Sequence, residues 1–362
     1  MSNEARGQAE ADWKALANRC IQAKRPNELV VREGVGRAAS AWPTSQVISA
    51  ALGRAVAQLG TAKADDAGDD FLRLDAGLRH FQTGSIFTES RSWSVRRRPV
   101  FYDDNAWIAL NFIQVALLQL HGVLPGDPMS NIVRARGVLA LLVSGQDTRD
   151  GGVSWKVGGD TRNACSTAPS GLLALRIVEA ERNHGGLPQS DHAQLIAFAQ
   201  RCAGFIDLLR DSRGLIADHL RPDGQIEPSI YSYNQGTGLG LSLQLHRVTH
   251  DEVSLQSARL AAAASIEYYS DGDRLWRESP AFVAIFLRHL AVLRAYEGSD
   301  TGLALNDQWL DRLTTQGLDP STGFYSRGGI GRYDGSVSLD QAGIVAARYT
   351  NSWPAGLVRF LC

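Results

Sequence analysis

The chain is poor in the residues that most metal and redox sites are built from. It has four cysteines, Cys20, Cys165, Cys202 and Cys362. None forms a CxxC pair or stands at ligand spacing from a histidine, which argues against a zinc site, and their scatter is not a disulfide framework. Cys202 falls on an apolar helical stripe, the place of a small core residue. Charge of either sign is not in excess: 37 Lys and Arg face 38 Asp and Glu, for a net charge of -1. That balance gives no general attraction to nucleic acid or to an anionic membrane. The one basic cluster, Arg91 to Arg98, reads as a solvated loop or strand edge. No apolar run reaches membrane-spanning length. The opening MSNEARGQAEADWK lacks the apolar core of a signal peptide. As written, the chain is expected in the cytoplasm, or outside the cell if a leader is removed. Neither GxxxxGK[ST] nor a Rossmann-type GxGxxG occurs, so Gly151-Gly152 and Gly158-Gly159 are turn formers rather than phosphate cradles. No cofactor and no metal is expected.

What is present is a succession of helical patterns. Residues 189–210 repeat Leu195, Phe198, Ala199, Cys202, Phe205, Ile206 and Leu209 at three and four residues, with polar positions opposite. This is one amphipathic helix with a single buried stripe. Residues 103–121 are instead apolar over most of the circumference, and 234–248 are rich in Gly and Leu. Helices of that kind are buried on several sides, with glycine tolerated where backbones approach closely. The pattern predicts about twelve helices, over 6–22, 44–59, 68–82, 103–121, 127–145, 163–183, 189–210, 232–248, 252–269, 280–297, 302–317 and 336–350. The even members are the more uniformly apolar or glycine-rich, and the odd members carry a charged face. Six antiparallel hairpins follow, which either close into a ring or stack as an open solenoid. The segments leading into the apolar helices are long and aromatic: 151–163, 214–236 and 323–341, with FYDD (101–104) and LWRESPAF (275–282) in equivalent places. Connections on the other side, such as VTHDEV and YEGSD, are short and plain. In a ring the long segments gather at one end, where a site is expected. No linker divides the chain, so residues 1–362 are expected to form one domain.

The sharpest feature at that end is Phe101-Tyr102-Asp103-Asp104-Asn105-Ala106-Trp107. Two carboxylates open an almost wholly apolar helix. Helix capping explains one Asp, because a carboxylate suits the positive helix end; it explains two adjacent acids between aromatics less well. A carboxylate pair is what glycosidic cleavage needs, one acid to protonate the leaving oxygen and one nucleophile or base. Consecutive helical residues place their carboxylates on the order of 5–6 Å apart. That fits the roughly 5–5.5 Å of retaining enzymes better than the roughly 6.5–9.5 Å of inverting ones. Two close carboxylates also raise one another's pKa, so that one can stay protonated as the acid. Around them Trp42, Tyr102, Trp155, Tyr231, Tyr233 and Trp276 are candidates to contact sugar faces. Asn105, Asn163, Asn234 and Gln235 are candidates to bond sugar hydroxyls. Glu227, Glu278 and Asp340 are rival carboxylates on the same face.

These motifs, taken together and in order, resemble glycoside hydrolase family 76, the endo-α-1,6-mannanases. YDDNAWIALNFIQV (102–115) is similar to the family's Asp-Asp motif at the head of a buried helix. GGVSWKVGGDTRNACST (151–167) is similar to its Gly-Gly-aromatic loop, and SYNQGTGLGLSLQLHRVT (232–249) to its Tyr-Asn-Gln-Gly helix. FVAIFLRHLAVL (282–293) and the DQAGIVAARY helix extend the resemblance over roughly residues 40–355. There are departures: the lysine of the family's Lys-Gly-Ile-Phe segment is replaced around Ala281 to Val283, a second loop Asn is Thr167, and a Trp-Trp pair is reduced to Trp155. The resemblance implies an all-α (α/α)6 barrel and a retaining mechanism. It implies Asp103 as nucleophile and Asp104 as acid/base, and an α-mannan-like oligo- or polysaccharide as partner. A monomer that neither enters membranes nor binds nucleic acid is expected. Two other readings compete. A sugar epimerase or isomerase on the same scaffold needs histidine acid/base groups, for which His219 and His289 are the candidates, and a non-catalytic helical-repeat protein would bind glycan without cleaving it.

Overall fold

The structure is a computed structural model that describes residues 3–33, 37–90, 98–184, 191–325 and 336–362, with the side chains of residues 3–5 left aside. The basic run at 91–97 and residues 326–335 of the last long loop therefore lie outside the described residues. All twelve expected helices are present. They are α1 (Asn3–Cys20), α2 (Ala41–Ala57), α3 (Ala64–Gly77), α4 (Tyr102–Leu120), α5 (Pro128–Ser144), α6 (Ala164–His184), α7 (His192–Leu208), α8 (Ser232–Thr249), α9 (Glu252–Ser270), α11 (Pro280–Glu297), α12 (Leu303–Arg312) and α13 (Val337–Thr350). One short helix, α10 (Arg274–Arg277), was not expected and forms inside the LWRESPAF segment. The helix expected over 302–317 ends at Arg312 and continues as a single π-helical turn, Leu313–Gly317. Among the described residues no helix is long and apolar enough to cross a membrane.

Local chemistry explains many of the ends. Asp127 caps α5 by accepting from the amides of Met129 and Ser130, with Pro128 at the first helical position. Ser279 and Pro280 start α11 in the same way. Gly298 closes α11 with positive φ.

The helices fall into two compact units. The first contains α1–α3 and α10–α13, together with the hairpin of β1 (Ile21–Arg25) and β2 (Glu28–Val31). Here α13 packs on α2, α11 and α1. At Gly343 of α13, a Cβ would sit 2.4 Å from the backbone nitrogen of Ala281, so glycine is what permits the close approach of α11 and α13.

The second unit contains α4–α8, nearly all of α9, Thr83 of β3 (Gln82–Thr83), β4 (Ile86–Phe87), and the sheet β5-β6-β7 (Arg162–Asn163, Ala217–Leu220, Ile226–Ile230). In both units the expected alternation holds. Helices α2, α4, α6, α8, α11 and α13 are buried around most of their circumference, whereas α3, α5, α7 and α12 bury one stripe. The α7 stripe is the one read from the sequence, with Cys202 fully buried.

Within the second unit the segments leading into α4, α6 and α8 are stitched together. The amide of Tyr102 donates to the Trp155 carbonyl at 2.9 Å and that of Val157 to the Val100 carbonyl at 3.0 Å. On its other side the α6 segment pairs through β5 with β6, Asn163 lying opposite His219. Each of these helices also grips its own lead-in strand with a side chain in its first turn. Asn105 Oδ1 accepts from the Phe87 amide, Thr167 Oγ1 from the Val153 amide and Gln235 Oε1 from the Ile216 amide, all at 2.8 Å. Buried backbone groups need partners, and these grips supply them where no ladder does.

Candidate active site

The acid pair sits where the sequence places it, at the start of α4 in the second unit. Neither acid holds the cap position of the helix: that is Phe101, with an extended backbone and no capping bond from its side chain. Asp104 is buried. Asp103 is half-buried, and its Oδ2 accepts from the indole Nε1 of Trp155 at 3.2 Å. Its Oδ1 is buried without a hydrogen-bond partner among the described residues. Burial pushes the Asp103 carboxyl up to about 6, against the backbone amide of Asp104, the Trp155 indole and the Cys165 thiol, which pull it down.

Three further side chains meet there. Cys165 stands in the first turn of α6 and Tyr233 in the first turn of α8. Burial raises both the thiol and the phenol well above their ordinary values, and the charges of Asp103 and Asp218 raise them further. Both stay neutral donors at any ordinary pH. Asp218, in β6, bonds His219 Nδ1 at 2.8 Å and Asn234 Nδ2 at 3.3 Å. The result is a compact polar site of carboxylates, neutral donors and one exposed indole ring, Trp155 being 38% exposed.

A family model for glycosyl hydrolase family 76 matches residues 73–296, more than half of the chain. The chain belongs to glycosyl hydrolase family 76. This family 76 protein is thus a glycoside hydrolase. Its backbone is similar over 97% of its length, and 98% of the other chain, to the family 76 glycoside hydrolase (mannosidase) of Bacteroides thetaiotaomicron, with a TM-score of 0.80 at 18% identity. It is also similar to an inactive variant of the α-1,6-mannanase of a Salegentibacter species, bearing two Asp-to-Asn substitutions and in complex with α-1,6-mannotriose (TM-score 0.71, 16% identity, 95% and 98% of the two chains). A D-mannose isomerase is similar as well (TM-score 0.67, 11% identity, 97% and 98%). No curated protein matches in sequence. At such identities the likeness shows the fold, and it is the (α/α)6 class expected from the sequence.

The remaining expected residues of this family 76 chain divide. Trp155, Tyr233 and Asn234 are among the groups just described, and Asn163 lies opposite His219, its Oδ1 accepting from Thr161 at 2.8 Å. Tyr102 is 6% exposed, its ring packed so tightly on Gly145 that a Cβ there would lie 2.5 Å from it. Asn105 and Gln235 were expected to bond sugar hydroxyls, but their amides are engaged elsewhere. Asn105 Nδ2 donates to the Phe87 and Phe101 carbonyls, and Gln235 Nε2 to the Ile216 and Tyr231 carbonyls. Their work is to hold backbone. Tyr231 stacks at a tilt near Tyr233, ring centroids 6.0 Å apart.

Trp42 lies in the first unit beside Phe282, ring centroids 5.9 Å apart. Trp276, also in that unit, is 4% exposed with the Arg312 guanidinium over its ring, so it has no open face for a sugar. The rival carboxylates have partners of their own: Glu227 holds Arg221 and Ser229, Glu278 accepts from Tyr269, and Asp340 accepts from Ser279. Asp218 and Cys165 were missed as site residues. Cys165 stands inside the quoted GGVSWKVGGDTRNACST and Asp218 inside the long segment 214–236, and nothing in either stretch shows that they converge.

Proposed function

We propose that the protein is a retaining glycosidase that cleaves α-1,6-linked mannose-type glycans with Asp103 and Asp104. The observation that carries this is the placement of two neighbouring carboxylates at the head of a buried helix, Asp104 buried and Asp103 held by the Trp155 indole at 3.2 Å. The likeness to a mannosidase, and to a mannanase inactivated by replacing two aspartates and bound to α-1,6-mannotriose, supports the substrate class.

In the reaction, Asp103 attacks the anomeric carbon while Asp104 gives its proton to the departing glycosidic oxygen. Asp104 then takes a proton from the water that releases the sugar from its ester. Trp155 holds the attacking carboxylate and offers its exposed ring to a sugar face. We also take residues 1–362 as one catalytic domain, a reading supported by the chain passing repeatedly between its two compact units, and propose that it acts as a monomer.

Asp103→Asn and Asp104→Asn should each lower turnover of linear α-1,6-mannan by about 100-fold or more with unchanged helical circular dichroism. Product sizing and anomeric NMR, with α-1,6-gluco-oligosaccharides alongside, read the linkage, the sugar and the retained configuration. Full activity in either variant overturns the assignment. The two roles separate by pH. A nucleophilic Asp103 must be ionised, so kcat/KM rises through about pH 6; if Asp103 were the proton donor, the same titration would appear as a fall above pH 6. Isomerised product from free mannose would instead favour the isomerase reading, for which the His219–Asp218 pair is the nearest acid/base candidate.

A further inference from the structure

In the first unit, the C-terminal ends of α11 and α13 and one face of α12 border a cavity of about 950 Å³. It shares no lining residue with the groups around Asp103, and its volume is that of a ligand-binding cleft. Helix α12 presents two faces. It buries Leu305, Asn306 and Trp309, and it lines the cavity with Leu303, Asp307, Leu310 and Asp311, which share a different side of the helix. The turn from α11 to α12 is set by Gly298 and Gly302, both at positive φ. The Ser299 amide donates to the Arg294 carbonyl at 3.2 Å within it. This wall is therefore formed before any ligand arrives.

The polar groups on the wall have bonding capacity to spare. A guanidinium carries five N–H donors, and Arg294 spends Nη1 on the Thr301 carbonyl at 3.3 Å. Burial lowers the Arg294 guanidinium below its ordinary value, against the pull of Asp307 and Asp300. Among the described residues Asp300, Asp307 and Asp311 form no ion pair; Asp307 Oδ1 accepts from Asn306 Nδ2 at 3.0 Å. This mixture selects among ligands. An anion would satisfy Arg294 and be repelled by three carboxylates, and a cation would do the reverse. A hydroxyl both donates and accepts, so a neutral polyol meets both kinds of group at once. Ala291, Ala295 and Leu303 supply apolar wall for the C–H face of a sugar ring.

We propose that this cavity is a second, non-catalytic glycan-binding site, which holds a short stretch of the same mannose-type chain that the acid pair cuts. Sugar hydroxyls would donate to Asp307 and Asp311 and accept from Arg294. The choice of sugar rests on the glycosidase reading above.

The test fills or strips the cavity in the full chain, with Ala295→Trp at an exposed position and with Arg294→Met. Migration in native gels cast with linear α-1,6-mannan reads binding, in the Asp103→Asn background so that the mannan is not consumed. Either cavity substitution is expected to weaken retardation, raising the apparent Kd by about tenfold or more. With Asp103 intact, KM on the same mannan rises while kcat holds, and kcat/KM on an aryl α-1,6-mannotrioside stays within about twofold. Unchanged retardation in both variants would overturn the proposal. So would equal losses on polymer and trioside, which mark a structural role only. Should Arg294→Met fail to fold, Ala295→Trp carries the same comparison. If the unaltered protein cleaves no mannoside at all, the glycosidase reading fails. If it cleaves them and both cavity variants bind and cleave mannan as it does, only the cavity assignment fails.

Discussion

At the scale of single residues, the site holds Asp103 in an unfavourable state for a reason that can be measured. An exposed carboxyl near 3.8 gives up its proton well before this one, which burial holds to about 6. Between those values the unfolded chain has released the proton and the folded chain has kept it. Folding stability therefore falls as pH rises through that window, and the full penalty stands above about pH 6. It amounts to about 3 kcal/mol at most. Asp103→Asn removes the charge, so its melting temperature should exceed that of the unaltered protein by a few degrees at pH 7 and by little at pH 4. An equal difference at both pH values would show that the charge is not strained. Trp155→Phe acts the other way on titration. It removes a donor that favours the ionised carboxylate, a contact of about 1.5 kcal/mol for a charged acceptor. The midpoint in the pH profile of kcat/KM should rise by about one unit, with activity above it reduced much less.

At the scale of elements, the site is held by side chains that sequence patterns assign to other work. Asn105, Thr167 and Gln235 each grip a backbone amide ahead of their own helix. Gln341 does the same more loosely for Tyr325, at 3.5 Å. A polar residue near the head of an apolar helix and facing a long loop reads as ligand-binding; here each one feeds a buried strand that has too few neighbours. Thr167 is instructive, because it departs from the family pattern and still accepts from Val153. Thr167→Val should leave that amide unpaired and lower stability by about 1–3 kcal/mol in urea unfolding, while Thr167→Ser keeps the hydroxyl and most of the stability. Activity should fall in the Val variant as well, since Trp155 and Asn163 ride on the same loop. The helices themselves were legible because a period of 3.6 and its buried stripe are properties of a dozen consecutive residues. The short pairings of β4 to β7 were not, because each strand is only two to five residues long and, for β5, the partner β6 lies far away in sequence.

At the scale of the whole molecule, the first and last helices of the chain are joined through buried charge in the first unit. Glu10 in α1 accepts from Arg54 at 2.9 Å, Gln58 at 2.8 Å, Lys63 at 3.1 Å and Tyr349 at 2.6 Å. Asp12 accepts from Arg348 and from the Tyr325 hydroxyl. Burial alone would raise the Glu10 carboxyl, but the bonds from Arg54, Tyr349 and Lys63 outweigh it and hold it at about 2. A carboxyl lowered in this way contributes stability that is complete above about pH 4.5 and is lost as pH falls towards 2. The contribution is about 3 kcal/mol. Glu10→Gln should therefore unfold at lower denaturant concentration at pH 7, and the gap to the unaltered protein should narrow by pH 3. A gap independent of pH would place the role of Glu10 in packing instead.

The amino-acid sequence by itself determined the twelve main helices, the alternation of buried and one-sided members, and the acids that open α4. Those are local facts, written in periodicity and in neighbouring residues. The tertiary structure alone decided which polar side chains stay available to a ligand. Asn105 and Gln235 turn to backbone, Tyr102 packs on Gly145, and Asp218 and Cys165 come in beside Asp103 from other parts of the chain. The physical reason is that a buried hydrogen-bonding group takes whatever partner the packing brings within about 3 Å, and that partner is set by contacts between segments far apart in sequence.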